Sequence, residues 1–389
     1  MKKICIVTGT RAEYGLLKPL IEKVDKAAEL ELQLVVTGMH LSTEFGLTYR
    51  EIEEDGYHIK AKIEMLLGSD TPVGITKSMG VALIGFADYF EVNKPDIVVI
   101  LGDRYEMLMA ASSAMVARIP IAHIHGGELT QGAMDDAIRH SITKMSHLHF
   151  TATEEYRNRV IQLGEQPQTV YNVGALGVEN VKTVHLLKKE ELEKAIDFQF
   201  TPQTILVTFH PVTLENMTSE KQFQNILDVI DKHQELSVIF TKANSDTDGR
   251  IINIMIDDYV KENKDRCRAY TSLGQLRYLS ALQFCVAVVG NSSSGIIEVP
   301  SFKIPTVNVG DRQNGRSCAE TVINCGNSVQ KIDNALNLAL SSDFAYKTQN
   351  AYNPYEGEHT SDKIIEIVCR SLEKGINLKK RFYDLKIKA

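Results

Sequence analysis

Short, continuous apolar runs recur along this chain, each ending in glycine or a charged residue and each followed by a helix-like segment. KICIV (3–7) leads into TGTRAEYG (8–15), IVVIL (97–101) stops at Gly102-Asp103-Arg104, and IPIAHI (119–124) enters His125-Gly126-Gly127. Runs that do not alternate with polar residues mark strands buried on both faces. Such strands, spaced by helices, specify a parallel sheet covered on both sides. LQLVVT (32–37) and LHFTA (148–152) add two more strands, and helices are expected at 16–28, 73–92, 106–117, from near Met134, and at 153–163. TGTRAEYG reads as a loop.

The pattern then restarts. A charged helix (186–195) and a polar link (198–203) precede a new first strand, TILVTFH (204–210). Strands at 236–241, 267–271, 284–289 and 303–310 follow, with helices at 216–233, 249–262, 274–281 and 296–299 and a last one at 361–374. The fold class is therefore α/β, as two Rossmann-like doubly wound domains with a ligand cleft between them. The first domain is expected over 1–175 and the second over 176–360. Residues 361–389 are expected to cross back to the first, and a chain of 389 residues suits two cores.

A net charge of −7 argues against a nucleic-acid partner, although a small anion needs only local arginines. None of the six cysteines forms a Cys-x-x-Cys pair, so they read as reduced, structural residues of a cytoplasmic protein. No apolar run approaches the roughly 20 residues of a membrane span, so no membrane partner is expected. The apolar run after Lys2-Lys3 stops at Thr8, which suits a first strand better than a secretory signal.

Three loops after strands suit an anion. GNSSSG (290–295) pairs small residues with the hydroxyls of Ser292 and Ser293 ahead of a helix, the form of a phosphate cradle or of a simple capped turn. Glu298, about one turn on, suits a ribose diol as well as it suits solvent. TGTRAEYG supplies Arg11, with Glu13 its only carboxylate, and GDRQNGR (310–316) supplies Arg312 and Arg316. Arginine pairs bidentately with a diphosphate. Neither G-x-G-x-x-G nor G-x-x-x-x-G-K-[ST] occurs, so no NAD(P), FAD or ATP cofactor is expected.

Titratable residues gather between His123 and His140. His123 and His125, two apart on a strand, are expected to face the same way. With Glu128 they would make three zinc ligands, but no further ligand motif appears, and a metal-free site is the stronger reading. Asp135 and Asp136 open a helix and have i,i+4 partners in Arg139 and His140. Asp103-Arg104 is either a local salt bridge or a carboxylate held at the cleft. His210 ends its strand in the same way, with Pro211 fixing the turn.

Together TGTRAEYG, GDR, HIHGGE (123–128), DDAIRHSI (135–142), FHPVT (209–213), GNSSSG and GDRQNGR resemble the hydrolysing UDP-N-acetylglucosamine 2-epimerases of bacterial sialic acid synthesis, over nearly the whole chain. The resemblance implies a fold like the GT-B glycosyltransferases. It also implies conversion of UDP-N-acetylglucosamine and water to UDP and N-acetylmannosamine. UDP and the C2 proton leave by anti-type elimination to a 2-acetamidoglucal, and water then adds at C1 as C2 is reprotonated. Carried over by motif, Asp103, His125, Glu128, Asp135 and His210 are the acid/base or sugar-orienting candidates. Some relatives carry glutamate where this chain has His125, so His125 and Glu128 both stand as the proton carrier. Arg11, Arg104, Ser292, Ser293 and Arg312 resemble the diphosphate set and Glu298 the ribose contact. Glu13, His40 and Arg139 complete the substrate-binding candidates. The same motifs fit a UDP-2,4-diacetamido-2,4,6-trideoxy sugar on the legionaminic acid route. A GT-B glycosyltransferase or a nucleotide-sugar-binding regulator are the alternatives outside the family. Family members commonly form homodimers or homotetramers, and the helices of 73–117 are the expected interface.

Overall fold

A computed structural model describes residues 1–130, 134–212, 218–243 and 249–385. The chain divides into two compact units, each built on one fully parallel sheet.

The first unit's strands are β1 (Lys2–Thr8), β2 (Leu30–Thr37), β3 (Ile59–Ile63), β4 (Ile97–Leu101), β5 (Ile121–Ile124), β6 (Leu148–Thr151) and β7 (Val170–Asn172), in the spatial order β3-β2-β1-β4-β5-β6-β7. The second unit's are β8 (Thr204–Thr208), β9 (Ser237–Thr241), β10 (Cys267–Tyr270), β11 (Ala287–Gly290), β12 (Thr306–Val309) and β13 (Val322–Cys325), in the order β10-β9-β8-β11-β12-β13. Both follow the Rossmann order, in which the sheet reverses direction between its first and fourth strands. In a sheet of that kind ligands bind beyond the carboxyl ends of the strands at the reversal. That rule points to the residues after β1 and β4 in one unit and after β8 and β11 in the other.

The central strands β4, β5 and β8 are buried along their whole length, as continuous apolar runs require. Three strands lie outside the sequence expectation, and all three are edge strands. β3 (IKAKI) alternates apolar residues with exposed lysine, a common way of blunting a sheet edge. β7 has only three residues, and β13 is only half-buried.

The loop expected at 8–15 is a second correction. The helix begins at Arg11 and runs to Lys26, because Thr10 and Glu13 form a capping box. Glu13 N donates to Thr10 Oγ1 at 3.2 Å, and Glu13 Oε2 accepts from the backbone N–H of Gly9 and Thr10 at 2.8 and 3.2 Å.

Residues up to Asn180, and again from Tyr355 on, belong to the first unit, while Leu129, Thr130 and Met134 go with the second. The changeovers therefore fall at 180 and 355 where the sequence reading placed them at 175 and 360. Hydrogen bonds explain the difference. Glu179 accepts from Ser361 N and Oγ at 2.9 and 2.8 Å, and Asn180 Nδ2 donates to Gly15 O at 3.0 Å, so this turn of helix is tied to the first sheet's layer. Tyr355 and Tyr156 share a buried hydroxyl–hydroxyl bond of 2.6 Å. Among the described residues no helix is long and apolar enough to cross a membrane, and no disulfide forms.

Candidate active site

The carboxyl edge of the first sheet carries a buried charged cluster centred on Arg139. Its helix, Asp135–Met145, buries Ile138, Arg139, Ile142 and Thr143, so the guanidinium is carried inward on the apolar face. Arg139 Nη2 pairs with Asp103 Oδ2, just beyond β4. Arg139 Nη1 donates to the carbonyl oxygen of His125 at 3.0 Å and lies 3.4 Å from Glu128 Oε2. One forked cation thus joins two carboxylates and a backbone carbonyl, which the point charge of lysine could not do with the same geometry.

His125 departs from the expected strand alternation. β5 ends at Ile124, and His125 takes a left-handed backbone (φ 65°), so it does not share His123's direction. The two imidazoles have different partners. His123 Nε2 donates to Gly102 O at 2.7 Å and Nδ1 lies 3.2 Å from Thr143 Oγ1, and burial pushes its pKa down to about 3. It is a neutral structural pin under the Gly102-Asp103 turn. His125 Nδ1 instead lies 3.1 Å from Glu128 Oε1, while Nε2 makes no hydrogen bond with the described residues. The turn between them needs Gly127 (φ 80°), since a Cβ there would sit 2.4 Å from Tyr156 O.

The other first-unit candidates are placed as follows. Arg11 pairs with Glu51, and Arg104 Nε donates to Glu106 Oε1 at 2.7 Å. Glu13 is spent on the capping box. Burial, with the Glu106 carboxylate beside it, pushes Glu13 up to about 8. His40 is buried, its Nε2 3.1 Å from Thr8 Oγ1 and its Nδ1 2.8 Å from Thr48 Oγ1, and burial lowers it to about 3. Both ring nitrogens of His40 are engaged, and of the Glu13 carboxylate Oε2 is the oxygen held by the capping box. Asp135 opens the helix that carries Arg139, and Asp136 Oδ2 lies 3.6 Å from His140 Nε2.

In the second unit the reversal point is organised by Asn291, which sequence reasoning passed over as one more small turn residue. Its side chain clamps the backbone of His210, accepting from His210 N at 2.7 Å and donating to His210 O at 2.8 Å. Its own carbonyl accepts from Arg312 Nη1 at 3.1 Å and from Gln313 Nε2 at 2.7 Å. His210, Arg312 and the serine loop are thereby gathered around one amide. Gly290 (φ 137°) permits this, because a Cβ would fall 1.8 Å from Thr208 O.

Ser292 and Ser293 are half-buried at the loop, whereas Ser294 Oγ accepts from Tyr278 OH at 2.7 Å. The helix that follows is only Ser294–Ile297, too short to carry much macrodipole, so anion binding there rests on hydroxyls and backbone N–H groups. Glu298 caps that turn and is buried. Arg316 donates to Leu129 O at 2.7 Å and lies 3.3 Å from Thr130 Oγ1, holding that segment within the second unit. Thr213 of the FHPVT motif lies outside the described residues. Among those residues no three His, Cys, Asp or Glu side chains are grouped to hold a metal.

A family model described as UDP-N-acetylglucosamine 2-epimerase matches residues 22–369. The chain belongs to this epimerase family. Among its relatives, the GDP/UDP-N,N'-diacetylbacillosamine 2-epimerase (hydrolyzing) of Campylobacter jejuni is 43% identical over 99% of both chains. The UDP-N,N'-diacetylbacillosamine 2-epimerase (hydrolyzing) of Legionella pneumophila is 36% identical over 88% of this chain and 89% of its own. The crystal structure of the UDP-GlcNAc 2-epimerase of Neisseria meningitidis, bound to UDP-GlcNAc, superposes with a TM-score of 0.78 at 18% identity, covering 95% of this chain and 100% of that one. At that identity the likeness speaks for the fold, which is GT-B-like with two Rossmann-like domains. In this family member Asp103, His125, Glu128 and Asp135 belong to the first unit, and His210, the serine loop, Glu298 and Arg312 to the second.

Proposed function

We propose that this protein is a hydrolysing nucleotide-sugar 2-epimerase whose substrate is UDP-2,4-diacetamido-2,4,6-trideoxyglucose. The observation that carries the reaction is the Arg139 cluster. It holds Asp103, Glu128 and His125 in fixed orientation with one imidazole nitrogen unengaged.

The C2 proton of such a sugar is not acidic, so its loss must be coupled to departure of the nucleoside diphosphate. Ser292, Ser293 and Arg312 stabilise the leaving diphosphate, and Glu298 binds the ribose. Glu128, whose Oε1 lies 3.1 Å from His125 Nδ1, holds the imidazole from that side, and Nε2 is the base that takes the C2 proton. Water then adds at C1 of the resulting glycal as C2 is protonated on its opposite face. Asp103, Asp135 and His210 orient the sugar. The diacetamido substrate is favoured by the two relatives at 43% and 36% identity. UDP-N-acetylglucosamine, the sequence-based expectation, stands as the second reading on the family's own description. We further propose a homodimer or homotetramer formed through the exposed Val81, Ile84, Val92 and Val116.

The test is turnover in D2O with the UDP-diacetamido sugar, its GDP counterpart and UDP-N-acetylglucosamine. The expected result is the highest kcat/KM for the first, with one deuterium at C2 of the free sugar. Preference for UDP-N-acetylglucosamine selects the second reading, and product without deuterium refutes the elimination. His125→Gln should lower kcat by roughly 10²–10⁴-fold, the usual worth of a general base, and Glu128→Gln by less. The reverse ranking would make Glu128 the proton carrier.

A further inference from the structure

The opposite edge of the first sheet also carries chemistry. A cavity of about 460 Å³ opens at the amino ends of β6 and β7, under the segment that follows the last helix, Thr360–Lys374. Its floor is formed by His147, Leu148 and Tyr171, and its wall by Lys374, Ile376, Lys379 and Arg381. Volume in this range suits a small organic ligand.

The wall carries more positive charge than the protein itself uses. Buried Glu165 pairs with Lys144 at 2.5 Å and with Lys380 at 2.7 Å, and His149 Nε2 lies 3.0 Å from it. Lys380 also donates to Ser146 O and Lys144 O at 2.5 and 2.8 Å, so it is fully engaged as the pin that holds the C-terminal segment down. Tyr383 N, bonded to Gly164 O at 2.9 Å, continues that attachment. Glu165 is thus already neutralised. Lys374, Lys379 and Arg381 remain on the same cavity, and none of them has an ion-pair partner among the described residues. His147 adds no charge, because burial, with Lys380 nearby, lowers its pKa to about 4.

We infer that this cavity is a second ligand site, separate from the catalytic edge, for a small hydroxylated anion such as a sugar phosphate or a sugar carboxylate. The three unpaired cations meet the anionic group. Tyr171 and Ile376 offer an apolar face to a sugar ring. Ser371, Thr169 and Asn377 supply hydrogen-bonding groups for hydroxyls. Polar residues around an apolar floor, with charge to one side, form the pattern that orients such a ligand. A ligand here would bridge the C-terminal segment to β6 and β7. β6 in turn pairs with β5, where His149 lies opposite His123, the pin under the Asp103 turn.

The test is isothermal titration of the full-length protein, saturated with UDP, with glucose 6-phosphate, gluconate and inorganic phosphate in separate arms. Saturable binding of glucose 6-phosphate or gluconate is expected, and the stronger of the two identifies the anion class. A Lys374→Glu/Arg381→Glu variant should bind at least roughly tenfold more weakly, since two attractions become repulsions. Its kcat/KM without added anion should be unchanged, because neither residue belongs to the catalytic edge. A Lys379→Glu variant should show a smaller loss in the same direction. The proposal is overturned if neither sugar anion binds below 10 mM on the order of a weak effector. It is also overturned if UDP abolishes binding, if inorganic phosphate alone binds as well as both sugars, or if the charge-reversal variants keep wild-type affinity. Loss of turnover in the wild type would instead count against the epimerase reading and leave this titration readable.

Discussion

Arg139→Met tests whether charge compensation by one buried guanidinium holds the first unit's site together. Methionine keeps most of the stem volume but leaves Glu128, fully buried, and Asp103, about a fifth exposed, without their cation. Removing one member of a buried ion pair costs ~3–5 kcal/mol. Water can reach Asp103, so the lower part of that range, ~3 kcal/mol, is expected here. In a Glu128→Gln/Asp103→Asn background the same change removes only the hydrogen bond to His125 O and some packing, worth ~1 kcal/mol. The coupling between the two sets of changes is then ~2 kcal/mol, well above the few tenths expected of independent sites. Urea unfolding followed by far-ultraviolet circular dichroism measures all four proteins. Arg139→Lys should recover part of the stability but little turnover, because lysine restores charge without the fork. Additive effects within ~0.5 kcal/mol would refute the reasoning and reduce Arg139 to a packing residue.

Two further outcomes follow from the geometry. Burial keeps His40 and His123 neutral down to about 3, while in the unfolded chain both take up a proton near the ordinary value of 6.5. The unfolded state therefore binds more protons between those values. Stability is full above 6.5 and falls as pH drops towards 3, by up to ~1.4 kcal/mol per pH unit for each histidine. His40→Gln should flatten the slope by about one proton, and an unchanged slope would show that His40 titrates freely. Asn291→Ala removes both side-chain bonds to the His210 backbone, costing ~2 kcal/mol and lowering kcat more than UDP affinity. Unchanged denaturation and turnover would mean that His210 is placed by its neighbours alone.

Much of the fold is legible in the sequence because doubly wound sheets announce themselves locally. A buried parallel strand must be apolar on both faces, and its exit turn favours glycine, so β1, β4, β5, β8 and β11 stand out. Edge strands carry no such signal. β3 mixes lysine into its pattern and β7 spans three residues, and each is a strand only because a neighbour offers it hydrogen bonds. The start of the helix at Arg11 was readable in principle, since Thr10-x-x-Glu13 is a capping-box spacing. The glycine beside it suggested a loop instead. Asn291 and Glu165 could not be found in this way, because their partners are 81 residues distant in the first case and over 200 in the case of Lys380.

The residue types of the candidate site and the alternation that places them at strand ends were determined by the sequence alone. Which of two histidines is engaged and which is left available was decided by tertiary structure. His123 and His125 are the same chemical group two positions apart. A single left-handed φ turns one towards Glu128, while the strand pins the other between Gly102 O and Thr143. Backbone torsion at a turn is set by what packs on either side of it, here Tyr156 against Gly127. That information is distributed over the fold and is not written in any local stretch of chain.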